Sequence, residues 1–471
     1  MHDINIDTIC APATTPGTGA ISVIRLSGTD SLSITDKIIK FSNGSVDEAS
    51  GYTIKFGKIF NKANELLDEV LVSIFKTPHS YTGENSVEIS CHASTYIVNE
   101  ILFLLIDAGA RFASPGEFTQ RAFLNGKMDL AQAEAVADVI SAQSAASHRV
   151  ALNQLKGGFS SELKDMRSEL LTMVSLMELE LDFSEEEVEF ADRGELNRIL
   201  EIVLGHIRRL KDSFRLGNAI KNGVPVAIVG TTNTGKSTLL NSLLGEERAI
   251  VSDIDGTTRD TVEETLNVEG ILFRFIDTAG IRKTEETIER IGIERTFQKI
   301  AQAEIVLAML DLSRDDNQII NNIEDILSSI NQDEQDLIFV LNKIDLVPSE
   351  KCARVEGVLS SIGLKKQLSL VKMSARNHQG INELKSLLAQ AKKNIINDSS
   401  STLVTNIRHF EALSTAEKSL SRVKEGLVTS IPTDLLSQDI RQALYDLGSI
   451  VGEISTTEVL GNIFRNFCIG K

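Results

Sequence analysis

The spacing of hydrophobic and polar positions changes several times along this 471-residue chain, and each change predicts a different kind of structure. From residues 1 to 120, short apolar runs such as Ile21 to Leu26, Val70 to Phe75 and Ser86 to Ser90 alternate with turn clusters rich in Gly, Pro and Ser. Apolar runs of this length between turn residues are typical of strands. The longer apolar stretch from Ser94 to Ala108 is typical of a helix. The first segment therefore predicts an α+β domain.

Beyond Asp129 the apolar residues recur every three or four positions, which is the period of amphipathic helices. A capping pattern at Asp192 and Glu195 predicts the start of another helix, which we expect to run through Arg215. The chain then has a short stretch from Gly217 to Gly223 that we interpret as a link into the next domain.

Helical periodicity returns near the C-terminus, in Leu384 to Ile396, Asn406 to Val428 and Leu435 to Val451. Because helical segments flank the middle of the chain on both sides, we expect residues 121–220 and 386–471 to form one discontinuous, all-helical domain. The middle segment would then be an insertion into that domain.

The middle segment, residues 221–385, alternates strand-like runs with helical ones, as a doubly wound sheet requires. The strand-like runs are Val224 to Val229, Glu264 to Val268, Leu272 to Ile276, Ile305 to Leu310, Leu337 to Leu341 and Leu368 to Met373. The predicted fold class is thus a multidomain α/β protein, in which an α+β N-terminal domain and a discontinuous all-helical domain accompany an inserted doubly wound domain.

The first strand of the insertion leads into Gly230 to Ser237, which matches G-x-x-x-x-G-K-[ST]. In this motif backbone N–H groups surround phosphate oxygens, the lysine adds a positive charge and the hydroxyl ligates Mg²⁺. A chance match is the alternative, and the preceding strand and following helix argue against it. The predicted contacts to a nucleoside triphosphate are Asn233, Thr234, Gly235, Lys236, Ser237 and Thr238.

Three further motifs follow later strands of the insertion and together indicate guanine rather than adenine. Asp277-Thr278-Ala279-Gly280 places an acid near Mg²⁺ and a glycine N–H near the γ-phosphate. The aspartate of Asn342-Lys343-Ile344-Asp345 can accept two N–H bonds from guanine, a pairing that adenine does not offer. Ser374-Ala375-Arg376 suits a backbone contact to the guanine O6. Four motifs in this order resemble the GTPase superfamily, and ATP is the less favoured alternative.

Position 281 departs from Ras-type GTPases, in which a glutamine after the D-x-x-G glycine orients the attacking water. Here the residue is Ile281, which has no group that could position a nucleophile. Another group must do that work, or hydrolysis is very slow. The segment from Arg282 to Ile293 carries several acids, any of which could act through a water.

Composition and charge narrow the class of protein further. The net charge is −18, and no segment is a basic nucleic-acid footprint, so a nucleic-acid substrate would need a more basic partner. The four cysteines, Cys10, Cys91, Cys352 and Cys468, are far apart, which argues against a disulfide framework or a zinc site. No apolar run approaches the length of a membrane span and no secretory signal opens the chain, so we expect a cytoplasmic protein with no membrane contact.

Asn233 together with the segment from Ser252 to Asp260 resembles the potassium-activated GTPases. The resemblance implies that K⁺ is held by Asn233, Ser252, the Ile254 carbonyl and Thr257, and that Mg²⁺ is held by Ser237 and Thr258. In such proteins K⁺ takes the place of an arginine finger. The alternative is that Asn233 only stabilises its loop. The segment from Ser252 to Asp260 also supplies further predicted GTP contacts, namely Ser252, Asp253, Ile254, Asp255, Gly256, Thr257 and Thr258.

Both ends of the chain resemble the MnmE (TrmE) family of tRNA modification GTPases. The chain ends in Cys468-Ile469-Gly470-Lys471, which is similar to the terminal C-[ILV]-G-K of that family. Near the N-terminus, the stretches Thr8 to Gly28, Ser80 to Glu84 and Pro115 to Lys127 agree as well, so the resemblance covers essentially the full length. Two small departures are Thr231-Thr232, where the family usually has proline second, and Ala93-Ser94, where two glycines usually follow the histidine.

The resemblance implies an N-terminal domain, residues 1–120, that dimerises and binds 5-formyl-tetrahydrofolate or a related one-carbon folate. By matched position the folate contacts are Arg25, Glu84, Lys127 and Lys471. It also implies an FAD-dependent, MnmG-like partner that forms a heterotetramer with the homodimer, and a carboxymethylaminomethyl-type modification at C5 of the wobble uridine of certain tRNAs. Cys468 is a candidate catalytic residue in that chemistry. Without the resemblance, Arg25 and Lys127 read as surface charges and Cys468 as part of a flexible tail.

Glu289 matches the catalytic glutamate of the family and is the candidate that replaces the missing glutamine. Glu285 and Glu286 are competing candidates, and the plain alternative is that all three are solvated. A function of another class also fits Asn233 and Ile281, namely a regulatory GTPase that docks on the ribosome or an assembly factor. That alternative does not explain the C-I-G-K terminus or the folate-like positions.

Overall fold

The computed structural model describes residues 7–182, 193–245, 264–276, 301–362, 367–392, 402–429, 431–454, 457–465, 467 and 470. The chain forms two compact units. The first comprises Met1–Ile140, Asn153–Ile207 and Ala412–Lys471, and the second comprises Ser141–Leu152 and Arg208–Glu411. The predicted domain boundaries near 120, 220 and 385 stay predictions.

The N-terminal part of the first unit is built on a seven-stranded sheet with the strand order β3-β4-β5-β6-β2-β1-β7. Its strands are Ile9–Pro12 (β1), Ile21–Ser27 (β2), Ile39–Phe41 (β3), Thr53–Phe60 (β4), Leu66–Phe75 (β5), Ser86–His92 (β6) and Arg111–Phe112 (β7). Neighbouring strands are antiparallel except β1 and β7. The helices of this part are Ser31–Ile38 (α1), Thr95–Asp107 (α2) and Glu117–Leu124 (α3). Alternate residues such as Ile24, Val72 and Ile89 point to one face and are buried with Ile101 and Leu105 of α2, which confirms the α+β prediction.

Helices dominate the chain from residue 130 onward. They are Leu130–Ser141 (α4), Ala145–Leu155 (α5), Gly158–Asp182 (α6), Arg193–Asp212 (α7) and Phe214–Asn222 (α8). The Met-bearing stripe of α6 is core, because Met166, Met173 and Met177 are all buried. Helices this long are stabilised chiefly by such buried faces rather than by intrinsic propensity.

The predicted link from Gly217 to Gly223 is wrong, because α8 continues through Asn222. Gly217 lies so close to the carbonyl of Val404 that a Cβ at this position would clash with it. The ring of Phe214 stacks on that of Phe410 with a centroid distance of 4.6 Å. The glycine therefore allows a close backbone approach inside a helix, and packing offsets its low helix propensity of about 1 kcal/mol.

A six-stranded sheet with the order β13-β12-β11-β8-β10-β9 forms the centre of the second unit. Its strands are Val224–Val229 (β8), Glu264–Val268 (β9), Ile271–Phe275 (β10), Ile305–Asp311 (β11), Asp336–Asn342 (β12) and Ser369–Met373 (β13). All neighbours are parallel except β9 and β10. The helices are Lys236–Gly245 (α9), Asp316–Ser329 (α10), Ser349–Ser361 (α11) and Ile381–Ala391 (α12).

Both faces of this sheet are buried. Along β11, Leu307 and Met309 join a core with Leu239 and Leu243 of α9. The alternate residues Ala308 and Leu310 of β11 join a second core that contains Ile319 and Ile323 of α10. Strands covered on both faces in this way belong to a doubly wound α/β fold, which confirms the predicted class.

In the described residues of the C-terminal part, the helices are Ile407–Val428 (α13), Thr433–Val451 (α14) and Thr457–Phe464 (α15). The sequence periodicity predicted α13 and α14 but not α15. Leu460 and Phe464 of α15 are buried against Leu130 and Ala133 of α4, so a tertiary contact stabilises this short helix. Among the residues that the structure describes, no helix is both long and apolar enough to span a membrane.

Candidate functional site

The phosphate loop lies at the carboxyl edge of the sheet, between the end of β8 at Val229 and the start of α9 at Lys236. Asn233 has φ of 65° and Gly235 has φ of 98°, so both lie in the left-handed region. A Cβ at Gly235 would come within 2.5 Å of Nδ2 of Asn342. Only glycine can combine a positive φ with this close approach of the Asn342 side chain at position 235 without strain.

The carbonyl groups of the loop point toward donors within the protein. Nζ of Lys236 donates to the oxygens of Gly230 at 2.8 Å and Thr231 at 2.9 Å, and Oγ1 of the buried Thr234 also donates to Thr231. In a trans peptide the C=O and the following N–H point in opposite directions. Holding the carbonyls on one side leaves N–H groups on the other, as an anion site at a helix N-terminus needs.

Lys236 is the main positive charge of this loop. Burial lowers the pKa of its amine, and the nearby charge of Arg314 acts in the same direction. A desolvated amine gains more from an anionic partner than a fully hydrated one, so the environment of Lys236 favours phosphate binding.

Asn342 connects the phosphate loop to the segment predicted to contact guanine. Its side chain is buried, with Nδ2 donating to the Thr234 carbonyl at 2.7 Å and Oδ1 accepting from the N–H of Ala375 at 3.0 Å. Oγ of Ser242 donates to the Ala375 carbonyl at 2.9 Å. The side chain of Asn342 therefore joins the phosphate loop to the segment after β13. Its predicted contact with guanine stays a prediction.

The predicted guanine contacts come together because β12 and β13 are neighbouring parallel strands that end at the same edge. Asp345 is exposed in the 3₁₀ turn Ile344–Leu346, which follows Lys343 with φ of 67°. After β13, Ser374 and Ala375 are buried and Arg376 is exposed. The carboxylate of Asp345 is therefore accessible to a base at this edge.

A buried acid at the end of β11 was missed by sequence reasoning. Asp311 is 4% exposed, and its Oδ2 lies 2.7 Å from Nζ of Lys343. Burial alone would raise the pKa of Asp311, but hydrogen bonds from Lys343 and Ser313 and the Lys343 charge together bring the pKa below its usual value. Its position in the sequence could have revealed it, because Asp311 directly follows a predicted strand, as the other motifs do.

The remaining predicted nucleotide contacts are divided between described and undescribed residues. Ser237 lies in the first turn of α9 and is half-buried, and Thr238 beside it is exposed. Outside the described residues lie the switch-like contacts Ser252, Asp253, Ile254, Asp255, Gly256, Thr257, Thr258, Asp277, Thr278, Ala279 and Gly280 and the candidate glutamates Glu285, Glu286 and Glu289.

In the first unit, Arg25 connects the N-terminal sheet with the end of the chain. Its Nε and Nη2 donate to Oε1 of Glu88 at 2.9 and 2.7 Å, and its Nη1 donates to the carbonyl of Gly470 at 3.4 Å. The guanidinium lies 5.3 Å from the ring centroid of Tyr81 and 5.7 Å from that of Phe118. The guanidinium of Arg25 is thus partly buried and fixed by hydrogen bonds, and it is not a free surface charge.

Glu84 is held by two donors. Oγ of Ser27 donates to it at 2.6 Å, and Nη1 of Arg121 lies 3.3 Å from Oε1. Arg121 is only 5% exposed, and it also donates to Asp7 at 2.7 Å and Glu117 at 3.1 Å. Sequence reasoning missed Arg121, although it lies within the stretch Pro115 to Lys127 that carries the resemblance.

Lys127 lies beside the segment 80–84, which contains Tyr81 and Glu84. Its Nζ donates to the Pro78 carbonyl at 3.0 Å, and a Cβ at Gly83 would come within 3.4 Å of the Lys127 side chain. The segment 80–84 therefore brings Arg25, Glu84 and Lys127 around one loop. The other two predicted residues at the chain end, Cys468 and Lys471, lie outside the described residues.

A doubly wound sheet with a phosphate loop and guanine-type motifs at its carboxyl edge defines a P-loop GTPase. The family model described as MnmE helical domain matches residues 130–468, and the one described as GTP-binding protein TrmE N-terminus matches residues 8–127. The chain belongs to the MnmE (TrmE) family of tRNA modification GTPases. The predicted family and the predicted enzyme class, a GTP hydrolase of tRNA modification, are both confirmed at the level of the family.

Curated relatives match over their whole length. The tRNA modification GTPase MnmE of Bacteroides thetaiotaomicron is 52% identical over 99% of this chain and 100% of its own. That of Parabacteroides distasonis is 50% identical, and that of Flavobacterium johnsoniae is 48% identical, each over 99% of this chain and 100% of its own.

Proposed function

We propose that this protein is a K⁺-activated GTPase that acts with an FAD-dependent, MnmG-like partner on the wobble uridine (U34) of certain tRNAs. The product carries a carboxymethylaminomethyl-type group at C5, with one carbon taken from 5-formyl-tetrahydrofolate or a related folate. GTP hydrolysis drives conformational change in the complex. The relatives are named tRNA modification GTPases, which supports tRNA as the substrate. The proposed place of action is the cytoplasm.

The residues at the phosphate loop fit a nucleotide with two cations. Ser237 in the first turn of α9 offers a hydroxyl, a hard oxygen ligand of the kind that Mg²⁺ takes, and Thr258 is the second proposed ligand. Asn233 is exposed on the loop in a left-handed conformation, so its amide oxygen is accessible to K⁺. The other proposed K⁺ ligands are Ser252, the Ile254 carbonyl and Thr257. When bound, these cations neutralise charge that develops on the phosphates. Glu289 is the proposed group that positions water.

One contact carries the proposal of a folate site, namely the hydrogen bond from Arg25 to the carbonyl of Gly470. A Cβ at Gly116 would come within 2.8 Å of Phe467, so a second residue of the chain end lies against the N-terminal part. Phe467 and Gly470 flank Cys468 in sequence. Gly470 of the C-terminal motif is thus bonded to Arg25, whose guanidinium also faces Tyr81 of the segment 80–84.

The chemistry of these side chains suits a folate. Cationic groups such as Arg25, Lys127 and Lys471 pair with the glutamate carboxylates of a folate. A carboxylate such as Glu84 accepts hydrogen bonds from the amine and ring N–H of a pterin. Arg121 and Ser27 hold Glu84 in place through hydrogen bonds to its carboxylate.

One face of the N-terminal sheet supports the proposal of a homodimer. Phe56 on β4 is the direct cross-strand partner of Leu71 on β5, and both point to the same face as Ile54. Their exposed fractions are 50%, 49% and 67%. A contiguous apolar patch on a sheet of this kind marks an interaction surface. The net charge of −18 also favours a more basic partner for the tRNA phosphates, as the heterotetramer would supply.

The proposed function is tested by nucleoside mass spectrometry of bulk tRNA from cells that lack the protein. We expect the C5-modified wobble uridine to disappear and its unmodified counterpart to appear, and we expect the intact gene to restore the modification. An unchanged nucleoside profile would contradict the proposal and favour a regulatory GTPase that docks on the ribosome or an assembly factor.

A further inference from the structure

A short turn after β11 lies beside the phosphate loop. Because β8 and β11 are adjacent parallel strands, the segments that follow them leave the sheet at the same edge. A Cβ at Gly230 would come within 2.6 Å of the Met309 carbonyl, so the start of the loop packs against β11 itself. The residues that follow β11 are therefore placed to act on the loop.

The turn is held firmly by its own hydrogen bonds. The N–H of Arg314 donates to the Asp311 carbonyl at 3.2 Å, and the N–H of Leu312 donates to the Asn342 carbonyl at 3.2 Å. Oδ1 of Asp311 accepts from both the N–H and the hydroxyl of Ser313. Nζ of Lys351 donates to the carbonyl of Arg314. The backbone at Arg314 is thus fixed from both sides, and its side chain starts from a defined position.

The side chain of Arg314 reaches the middle of the phosphate loop. Its Nη2 donates to the carbonyl of Thr232 at 2.5 Å. The arginine is not required to neutralise Asp311, because Lys343 pairs with that carboxylate at 2.7 Å and Nε of Arg314 stays 3.7 Å away. The contact with Thr232 is therefore the closest polar interaction that the structure records for this guanidinium.

Holding the Thr232 carbonyl has a consequence for the next residue. The C=O of residue 232 and the N–H of residue 233 belong to one planar trans peptide and point in opposite directions. A guanidinium bound to the oxygen on one side thus directs the Asn233 N–H to the other side. In the same way, Asn342 donates to the carbonyl of Thr234, and Lys236 donates to the carbonyls of Gly230 and Thr231. Each of these bonds fixes the direction of the N–H that follows the bonded carbonyl. Those side chains hold the carbonyls of Gly230, Thr231 and Thr234, and Arg314 adds the carbonyl of Thr232 to this set.

We propose that Arg314 is a positioning residue for GTP and GDP, which orients the peptide between Thr232 and Asn233 so that its N–H faces the nucleotide phosphates. It acts through the loop backbone and does not touch the reacting atoms. Its fixed charge beside Lys236 also adds to the attraction for phosphate. This inference rests on guanine nucleotide binding by the family and is independent of K⁺ activation and of folate.

The test compares Arg314→Ala, Arg314→Lys and the parent in the full-length protein, using fluorescent mant-GDP and mant-GTP with Mg²⁺. We expect Arg314→Ala to raise the Kd for both nucleotides about tenfold, the ratio produced by losing one charge-assisted hydrogen bond. Arg314→Lys keeps a cationic donor and should bind within about threefold of the parent. In steady-state hydrolysis the KM of Arg314→Ala should rise while its kcat stays within about twofold.

Arg354→Ala is the matched control. Arg354 is exposed on α11, and its Nη2 lies 3.7 Å from Asp316, so this variant removes a nearby positive charge without touching the loop. It should bind both nucleotides like the parent. Thermal unfolding without nucleotide should be alike in all variants, because the loop contact is local.

Several results would overturn the proposal. These are a parent-like Kd for Arg314→Ala, a lower kcat at unchanged Kd, an Arg314→Lys variant as weak as Arg314→Ala, or an equal loss in Arg354→Ala. If Arg314→Ala does not fold, Arg314→Gln takes its place, since it keeps an N–H donor and loses the charge. A Kd for Arg314→Gln equal to that of the parent would likewise contradict a role for the cation.

Discussion

The side-chain amide of Asn342 donates to the main-chain oxygen of Thr234 over 2.7 Å, and these two residues are 108 positions apart in the chain. The same side chain accepts from Ala375 through its oxygen. One buried amide therefore satisfies a carbonyl of the phosphate loop and the N–H of Ala375, in the segment predicted to contact guanine, at the same time. The position of the phosphate loop and that of the segment after β13 therefore both depend on the Asn342 side chain.

Replacing Asn342 by alanine should weaken nucleotide binding. The variant leaves the Thr234 carbonyl and the Ala375 N–H without this partner, at about 1–3 kcal/mol for each group that stays buried. We expect the Kd for GDP to rise by about tenfold or more. Ser242→Ala is the control, because it removes a single bond to the Ala375 carbonyl and leaves the phosphate loop intact. Equal Kd values for the two variants would show that Asn342 does not couple the loops.

GTP hydrolysis should require K⁺. In the proposed site, K⁺ held by Asn233 and the segment from Ser252 to Thr257 takes the place of an arginine finger, and Ile281 has no group that could orient water. The measurement is the hydrolysis rate in equal concentrations of KCl and NaCl. Asn233→Ala should lose most of the stimulation by K⁺. Equal rates in the two salts would contradict this assignment, as would an Asn233→Ala variant with full stimulation.

Guanine selectivity should depend on Asp345. Its exposed carboxylate is available to pair with two N–H groups of the base. Asp345→Asn should shift preference toward xanthosine triphosphate, because the C2 carbonyl of xanthine accepts from the new amide. Competition binding with GTP and xanthosine triphosphate measures the shift. A variant that still prefers GTP would remove Asp345 from the base site.

Folate affinity should depend on Arg25 and Lys127. Arg25→Ala and Lys127→Ala each remove a cation from the loop around residues 80–84, so both should weaken binding of 5-formyl-tetrahydrofolate, by about tenfold for a lost charge-assisted contact. Calorimetry with folate and with GTP separates the two sites, and GTP affinity should not change. Lys62→Ala is a suitable control, since that lysine is 75% exposed and pairs with Asp107. Undiminished folate affinity in both test variants would exclude the site.

Glu289 should affect the chemical step and not binding. Losing a group that orients the attacking water should lower kcat by roughly 10²- to 10⁴-fold while the Kd for GTP stays nearly constant. The comparison is Glu289→Ala with Glu285→Ala and Glu286→Ala in single-turnover hydrolysis at saturating K⁺. The assignment fails if Glu289→Ala hydrolyses GTP as fast as the parent, or if it loses activity only because GTP no longer binds.

The sequence by itself determined the features that depend on neighbouring residues. Strand β8 has the predicted bounds Val224–Val229, because a run of β-branched and apolar residues carries a strong local signal. Strand β9 has the predicted bounds Glu264–Val268, within which apolar and polar residues alternate. The phosphate loop was found in the same way, since its glycines and lysine have fixed spacing. The terminal motif and the N-terminal stretches were enough to predict the family.

Only the tertiary structure decided the features that join distant parts of the chain. Helix α8 runs through the predicted link because Val404 and Phe410 pack against it, and no local pattern encodes that contact. The bond from Arg25 to Gly470 spans 445 positions, and the bond from Arg314 to Thr232 spans 82. Strand order brings the turn after β11 beside the loop after β8. Hydrophobic periodicity sets which face of a strand is buried but not which strands are neighbours, and the residues that hold the phosphate loop depend on that second choice.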